Sequence, residues 1–76
     1  MNLGPIFALL TEVAKYLNTE KSRELQDRVF YLRRQYDEEY QKSSLRDDAL
    51  IYSIRAELFD LCEVYSAEFA RQAAKS

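Results

Sequence analysis

The chain has 76 residues, 11 basic and 13 acidic, and its formal net charge of −2 gives no broad attraction for DNA, RNA or anionic lipid. A single cysteine, Cys62, excludes an internal disulfide, and the absence of histidine removes the commonest zinc ligand. A domain this small buries only about 60% of the surface that its unfolded chain exposes, and such domains often need extra stabilisation. Without a disulfide or a zinc site, we expect that stabilisation to come from self-association.

The first predicted helix covers residues 5–17. Pro5 suits the first helical position, where its missing N–H would be unpaired anyway. Apolar residues at helical spacing give this helix one face: Leu3, Ile6, Leu10, Val13, Ala14 and Leu17. The apolar run at residues 6–10 is short and Glu12 and Lys15 follow it, so we expect no signal peptide, no membrane anchor and a cytoplasmic location.

The second predicted helix covers residues 20–41, and either Asn18 or Thr19 can cap it. A continuous apolar stripe runs along it: Leu25, Val29, Leu32, Tyr36 and Tyr40. Phe30 lies about 100° from this stripe and Tyr31 nearly opposite it. The acidic run at residues 37–39 is expected to be a solvated face.

The third predicted helix covers residues 45–73. Ser44 and Asp47 have the spacing of a capping box at its start. One face carries the apolar residues: Leu50, Ile51, Ile54, Leu58, Leu61, Cys62, Tyr65 and Phe69. Tyr52 and Phe59 share a separate flank with Ala56 and Ala70.

Together these elements predict one all-α domain over residues 1–76, with a short N-terminal helix and a long antiparallel helical hairpin. We expect two such chains to associate as a helical-bundle dimer, because symmetric dimers are the commonest oligomers. The first helix either packs within its own chain or is exchanged between subunits.

Phe30, Tyr31, Tyr52 and Phe59 are the predicted protein-contact residues, because they are large and lie outside the stripes that the hairpin needs. The alternative is that the first helix covers Phe30 and Phe59 within one domain. Tyr31 fits the internal core least well and is the favoured exposed anchor.

Residues that usually carry catalysis are missing or placed in a core pattern, so we expect no enzyme, no cofactor and no metal. Cys62 lies within an apolar stripe, where a thiol behaves as a small hydrophobic group. Gly4 is the only glycine, which excludes a glycine-rich phosphate loop.

The sequence therefore favours a helical protein–protein interaction module that self-associates and binds a further protein, as an adaptor, a regulator or an assembly subunit. One alternative is a regulator that binds nucleic acid through Arg28, Arg33 and Arg34, although neighbouring carboxylates weaken the positive electrostatic potential of these arginines. Another, by analogy of style alone, is a small accessory protein of a bacterial operon or a phage.

Overall fold

The computed structural model describes residues 2–75, which form three α-helices and no strand. Helix α1 spans Gly4–Ala14, α2 spans Thr19–Gln41 and α3 spans Asp48–Lys75, with a 3₁₀ turn at Ser43–Leu45 before α3. The predicted all-α architecture, a short helix followed by a long helical hairpin, is confirmed.

Helix α1 ends three residues earlier than the periodicity predicts. The backbone N–H groups of Lys15 and Tyr16 bond to carbonyls three residues back, at 3.1 and 3.0 Å. Such bonds tighten the last turn of a helix. Leu17 is buried nevertheless, so its apolar spacing marks a core residue that lies just beyond the helix.

Asn18 caps α2, as one of the two predicted candidates. Its backbone is extended (φ −65°, ψ 165°), and its side-chain oxygen accepts a hydrogen bond from the backbone N–H of Lys21 at 3.0 Å. Thr19 is the first helical residue.

The predicted capping box at Ser44 is wrong. Asp47 is the capping residue, because its Oδ1 accepts hydrogen bonds from the backbone N–H groups of Ala49 at 3.0 Å and Leu50 at 3.3 Å. The 3₁₀ turn at Ser43–Leu45 precedes Asp47, so α3 begins at Asp48 and not at Leu45.

One hydrophobic cluster joins all three helices, and α1 lies against both arms of the hairpin. The cluster consists of Leu3, Phe7, Leu10, Ala14, Leu17, Leu25, Val29, Leu32, Tyr36, Ile51, Ile54, Leu58 and Tyr65. Tyr36 also fastens the start of the chain, since its hydroxyl accepts a hydrogen bond from the backbone N–H of Leu3 at 3.1 Å. The first helix therefore packs within its own chain, which is one of the two predicted arrangements.

The helices lie side by side in a rod with extents of 49 × 17 × 15 Å. α1 and α3 run in the same direction. The start of α1 lies beside the end of α2, where Leu3 bonds to Tyr36, and the residues after α1 lie beside the end of α3, where the ring of Tyr16 meets that of Phe69 at 6.2 Å. Phe69 was expected in the core stripe but is 43% exposed. The reason is that α1 ends before it reaches this part of α3, and the ring of Tyr16 lies there instead.

Glu39 is buried, contrary to the expectation of a solvated acidic run. Its carboxylate accepts a hydrogen bond from the backbone N–H of Asp47 at 2.6 Å and from Nζ of Lys42 at 3.0 Å. These two interactions hold the pKa of Glu39 below its ordinary value. Glu39 thereby fastens the end of α2 to the start of α3.

Candidate protein-interaction surface

Large apolar side chains remain exposed on all three helices and in the second turn. They are Leu9, Tyr16, Phe30, Tyr31, Leu45, Tyr52, Phe59, Val64 and Phe69. Single exposed apolar residues are ordinary, but clusters of them mark binding surfaces. What matters is therefore which of these side chains lie together.

All four predicted contact residues are exposed. The exposed fraction is 69% for Phe30, 49% for Tyr31, 60% for Tyr52 and 46% for Phe59. The alternative in which α1 covers Phe30 and Phe59 therefore does not hold in this chain. The side chains are available for contact, although their exposure alone does not define a common surface.

The structure divides these four residues among three faces of the rod. Phe30 borders the groove between α1 and α2, and Tyr31 borders the groove between α2 and α3. Tyr52 and Phe59 lie two helical turns apart on one flank of α3. A single partner surface can hold Tyr52 and Phe59 together, but not Phe30 and Tyr31 with them.

The groove beside Phe30 is apolar and encloses about 270 Å³. Phe7, Leu10 and Val29 contribute buried side chains to its lining. The guanidinium group of Arg33 lies 5.2 Å from the ring of Phe7 and forms an ion pair with Asp37 at 3.3 Å. Arg33 is therefore paired within the chain, at the border of a shallow apolar pocket.

The groove beside Tyr31 is more polar. Arg28 lies 5.3 Å from the centre of the Tyr31 ring and forms an ion pair with Glu57 of α3 at 2.6 Å. Farther along the same groove, the hydroxyl of Tyr65 donates a hydrogen bond to Glu24 at 2.7 Å. Burial, with this hydrogen bond, raises the pKa of Tyr65 to about 12. Polar groups here are therefore largely satisfied within the chain.

The flank of α3 carries Tyr52 and Phe59, and the guanidinium group of Arg55 lies 4.7 Å from the centre of the Phe59 ring. Leu9 of α1 and Tyr16, two residues beyond α1, are also exposed and were not among the predicted contacts. The ring of Tyr16 meets that of Phe69 of α3. Both residues fall outside the core stripe of α1, and that position is the signal in the sequence that could have found them.

The three arginines of the nucleic-acid alternative point in different directions. Arg28 pairs with Glu57 across to α3, Arg33 lies against α1, and Arg34 pairs with Glu38 at 3.4 Å on the outside of α2. A phosphate backbone would need several such groups on one face. That alternative stays a prediction to which this arrangement adds nothing.

Cys62 is partly buried at the edge of the core, and burial raises the pKa of its thiol. Within residues 2–75, no group of three histidine, cysteine or carboxylate side chains is placed to hold a metal ion. Over the same residues, no helix combines the length and the apolar composition needed to cross a membrane.

Comparison with protein-family models, with the curated proteins and with the solved structures finds no match for this chain. Its function is therefore inferred from its own residues and their arrangement.

Proposed function

We propose that this chain is a helical protein–protein interaction module that associates with a second copy of itself and presents the assembled surface to a further protein. The observation that carries the proposal is the exposure of large aromatic side chains outside a core that closes without them. Aromatic residues at the centre of an interface contribute most to binding free energy.

The packing of α1 changes how such a dimer is built. If two α2–α3 hairpins formed the dimer core, their apolar stripes would have to pack against each other. Phe7 and Leu10 of α1 already cover these stripes within one chain. Self-association in this form therefore uses the outer faces of the rod. Tyr52 and Phe59 are available there on one face, and Leu9 of α1 and Tyr16 just beyond α1 are also exposed. Phe30 and Tyr31 lie on other faces and remain for the further protein.

Burial of these side chains would contribute favourable free energy to association. Burial of apolar surface contributes about 25 cal/mol per Å², and each large aromatic side chain offers ~150–250 Å² when fully covered. A few half-exposed aromatics on one face therefore supply several kcal/mol before the entropic cost of binding is subtracted.

Light scattering coupled to size exclusion, run at two protein concentrations, tests the proposal. We expect a mass near twice the 9.0 kDa of one chain at the higher concentration, with dissociation on dilution. A mass of one chain at both concentrations, up to the solubility limit, would contradict self-association.

A further inference from the structure

A second helical seam runs along α3 on the side away from the core. Its residues alternate at spacings of three and four, and each of them is exposed: Ala49, Tyr52, Ala56, Phe59, Glu63, Ser66 and Ala70. This spacing keeps the residues on one side of a helix and is the spacing at which two helices pack along their length. We call these seven residues the outer seam.

Between Ala49 and Phe59 the outer seam alternates small and large side chains. Tyr52 and Phe59 occupy one set of positions, and Ala49 and Ala56 the other. Two helices interlock when large side chains of one enter the gaps over small side chains of the other. At its centre, where Ala56 and Phe59 are neighbouring seam positions, the outer seam can therefore be complementary to itself.

From this complementarity we infer that the partner at the outer seam is a second copy of this chain, with the two α3 helices antiparallel. This inference rests on the self-association proposed above and names its surface. With the two-fold axis between Ala56 and Phe59, Phe59 of each copy lies over Ala56 of the other. In the next layers Tyr52 faces Glu63, and Ala49 faces Ser66.

Charge selects the antiparallel direction over the parallel one. In a parallel pair Glu63 would face Glu63 of the second copy, and two carboxylates at one buried position repel each other. In the antiparallel pair the hydroxyl of Tyr52 is placed to donate a hydrogen bond to Glu63 of the second copy. The polar position of the seam thus gains a partner.

Residues of α1 extend the same face. Because α1 and α3 run in the same direction and Tyr16 meets Phe69, Leu9 lies two turns before Tyr16, at the level of Cys62. The exposed fraction is 55% for Leu9 and 62% for Tyr16. A helix lying on the outer seam therefore has an apolar border along the α1 side.

The area that this face offers is of the order that a dimer needs. Taking ~200 Å² for each fully exposed large side chain, the exposed parts of Leu9, Tyr16, Tyr52 and Phe59 amount to about 450 Å². A standard interface buries about 800 Å² on each partner. The large side chains therefore supply a little over half of that area, and the exposed alanines of the seam with the stems of Arg55 and Glu63 add to it.

Four matched variants test the location of this interface: Tyr52→Glu and Phe59→Glu on the outer seam, and Phe30→Glu and Tyr31→Glu on other faces. Each is read by sedimentation equilibrium, with circular dichroism to verify that the helices persist. We expect the two seam variants to raise the dimer dissociation constant at least about tenfold, and the other two to leave it near that of the parent.

Cross-linking tests the antiparallel order. Ala49→Cys and Ser66→Cys are made separately in a Cys62→Ser background and treated with a short bis-maleimide, alone and as an equal mixture. We expect the mixture to cross-link strongly and each variant alone to cross-link weakly. Strong cross-linking of each variant with itself would overturn the antiparallel order.

The remaining outcomes separate this inference from the proposed function. If Phe30→Glu or Tyr31→Glu weakens the dimer and the seam variants do not, the inference fails and self-association stands. If all four variants leave the dimer intact, the inference fails in the same way. If the parent chain stays monomeric, both the outer-seam inference and the proposed self-association are wrong.

Discussion

Leu9 and Leu10 are neighbours on α1, yet Leu10 is completely buried and the exposed fraction of Leu9 is 55%. Because side chains one position apart on a helix point about 100° apart, one leucine enters the core and the other faces outward. Leu10 thus packs in the chain's own core, whereas Leu9 is available for a contact surface.

We expect Leu10→Ala to lower the free energy of unfolding by about 2–5 kcal/mol, the usual cost of truncating a buried leucine. Leu9→Ala should change it by less than about 0.5 kcal/mol when the protein is dilute enough to be monomeric. Urea unfolding followed by circular dichroism measures both. Equal losses for the two variants would contradict the placement of α1 within its own chain.

The cap of α3 gives a second prediction. Asp47→Ala removes the acceptor for the backbone N–H groups of Ala49 and Leu50, and should lower the free energy of unfolding by about 0.5–2 kcal/mol. Ser44→Ala is the control, because Ser44 precedes the helix and is exposed. A larger loss for Ser44→Ala than for Asp47→Ala would restore the capping box as the sequence suggested it.

The buried carboxylate of Glu39 should make the stability of the fold depend on pH. Its folded pKa lies below the ordinary value of 4.5, because the backbone N–H of Asp47 and the ammonium group of Lys42 favour the carboxylate. A lowered folded pKa contributes stability that is present above pH 4.5 and is lost as the pH falls through the folded pKa.

Glu39→Gln should therefore lower the melting temperature by several degrees near neutral pH. The difference from the parent should shrink as the pH falls below 4.5. Glu38→Gln is the matched control, since Glu38 is exposed and pairs only with Arg34 on the surface of the described chain. A pH-independent difference for Glu39→Gln would show that the lost interaction is not the ionised carboxylate.

Cys62 should react slowly with thiol reagents. Burial raises its pKa and restricts access, and the thiolate is the form that reacts. We expect a several-fold slower reaction with an aromatic disulfide at pH 8 for the folded chain than for the same chain in urea. Equal rates would mean that the edge of the core at α3 opens faster than the reagent arrives.

Helical periodicity predicted most of the fold. The stripe through Leu25, Val29 and Leu32 depends only on spacing within one helix, and all three residues are buried. One error came from a feature that needs the tertiary structure. Glu39 is buried because the chain turns back over it at Asp47, and no local pattern places those residues together.

The exposure of large side chains was predicted in part. Phe30, Tyr31, Tyr52 and Phe59 fall outside the core stripes of their helices, and all four are exposed. Their role as contact residues stays a prediction. Spacing along one helix could not tell that the four residues lie on three faces, since that depends on where α1 packs. The exposure of Leu9 was also left out, although Leu9 lies outside the apolar face predicted for the first helix.

Small-angle X-ray scattering over a concentration series measures self-association through both mass and size. One chain has a Cα radius of gyration of 13.8 Å, and the forward scattering reports the mass independently. We expect both the mass and the radius of gyration to rise with concentration toward those of two chains. A mass of 9.0 kDa and a radius that stays close to the one-chain value at every concentration would contradict it.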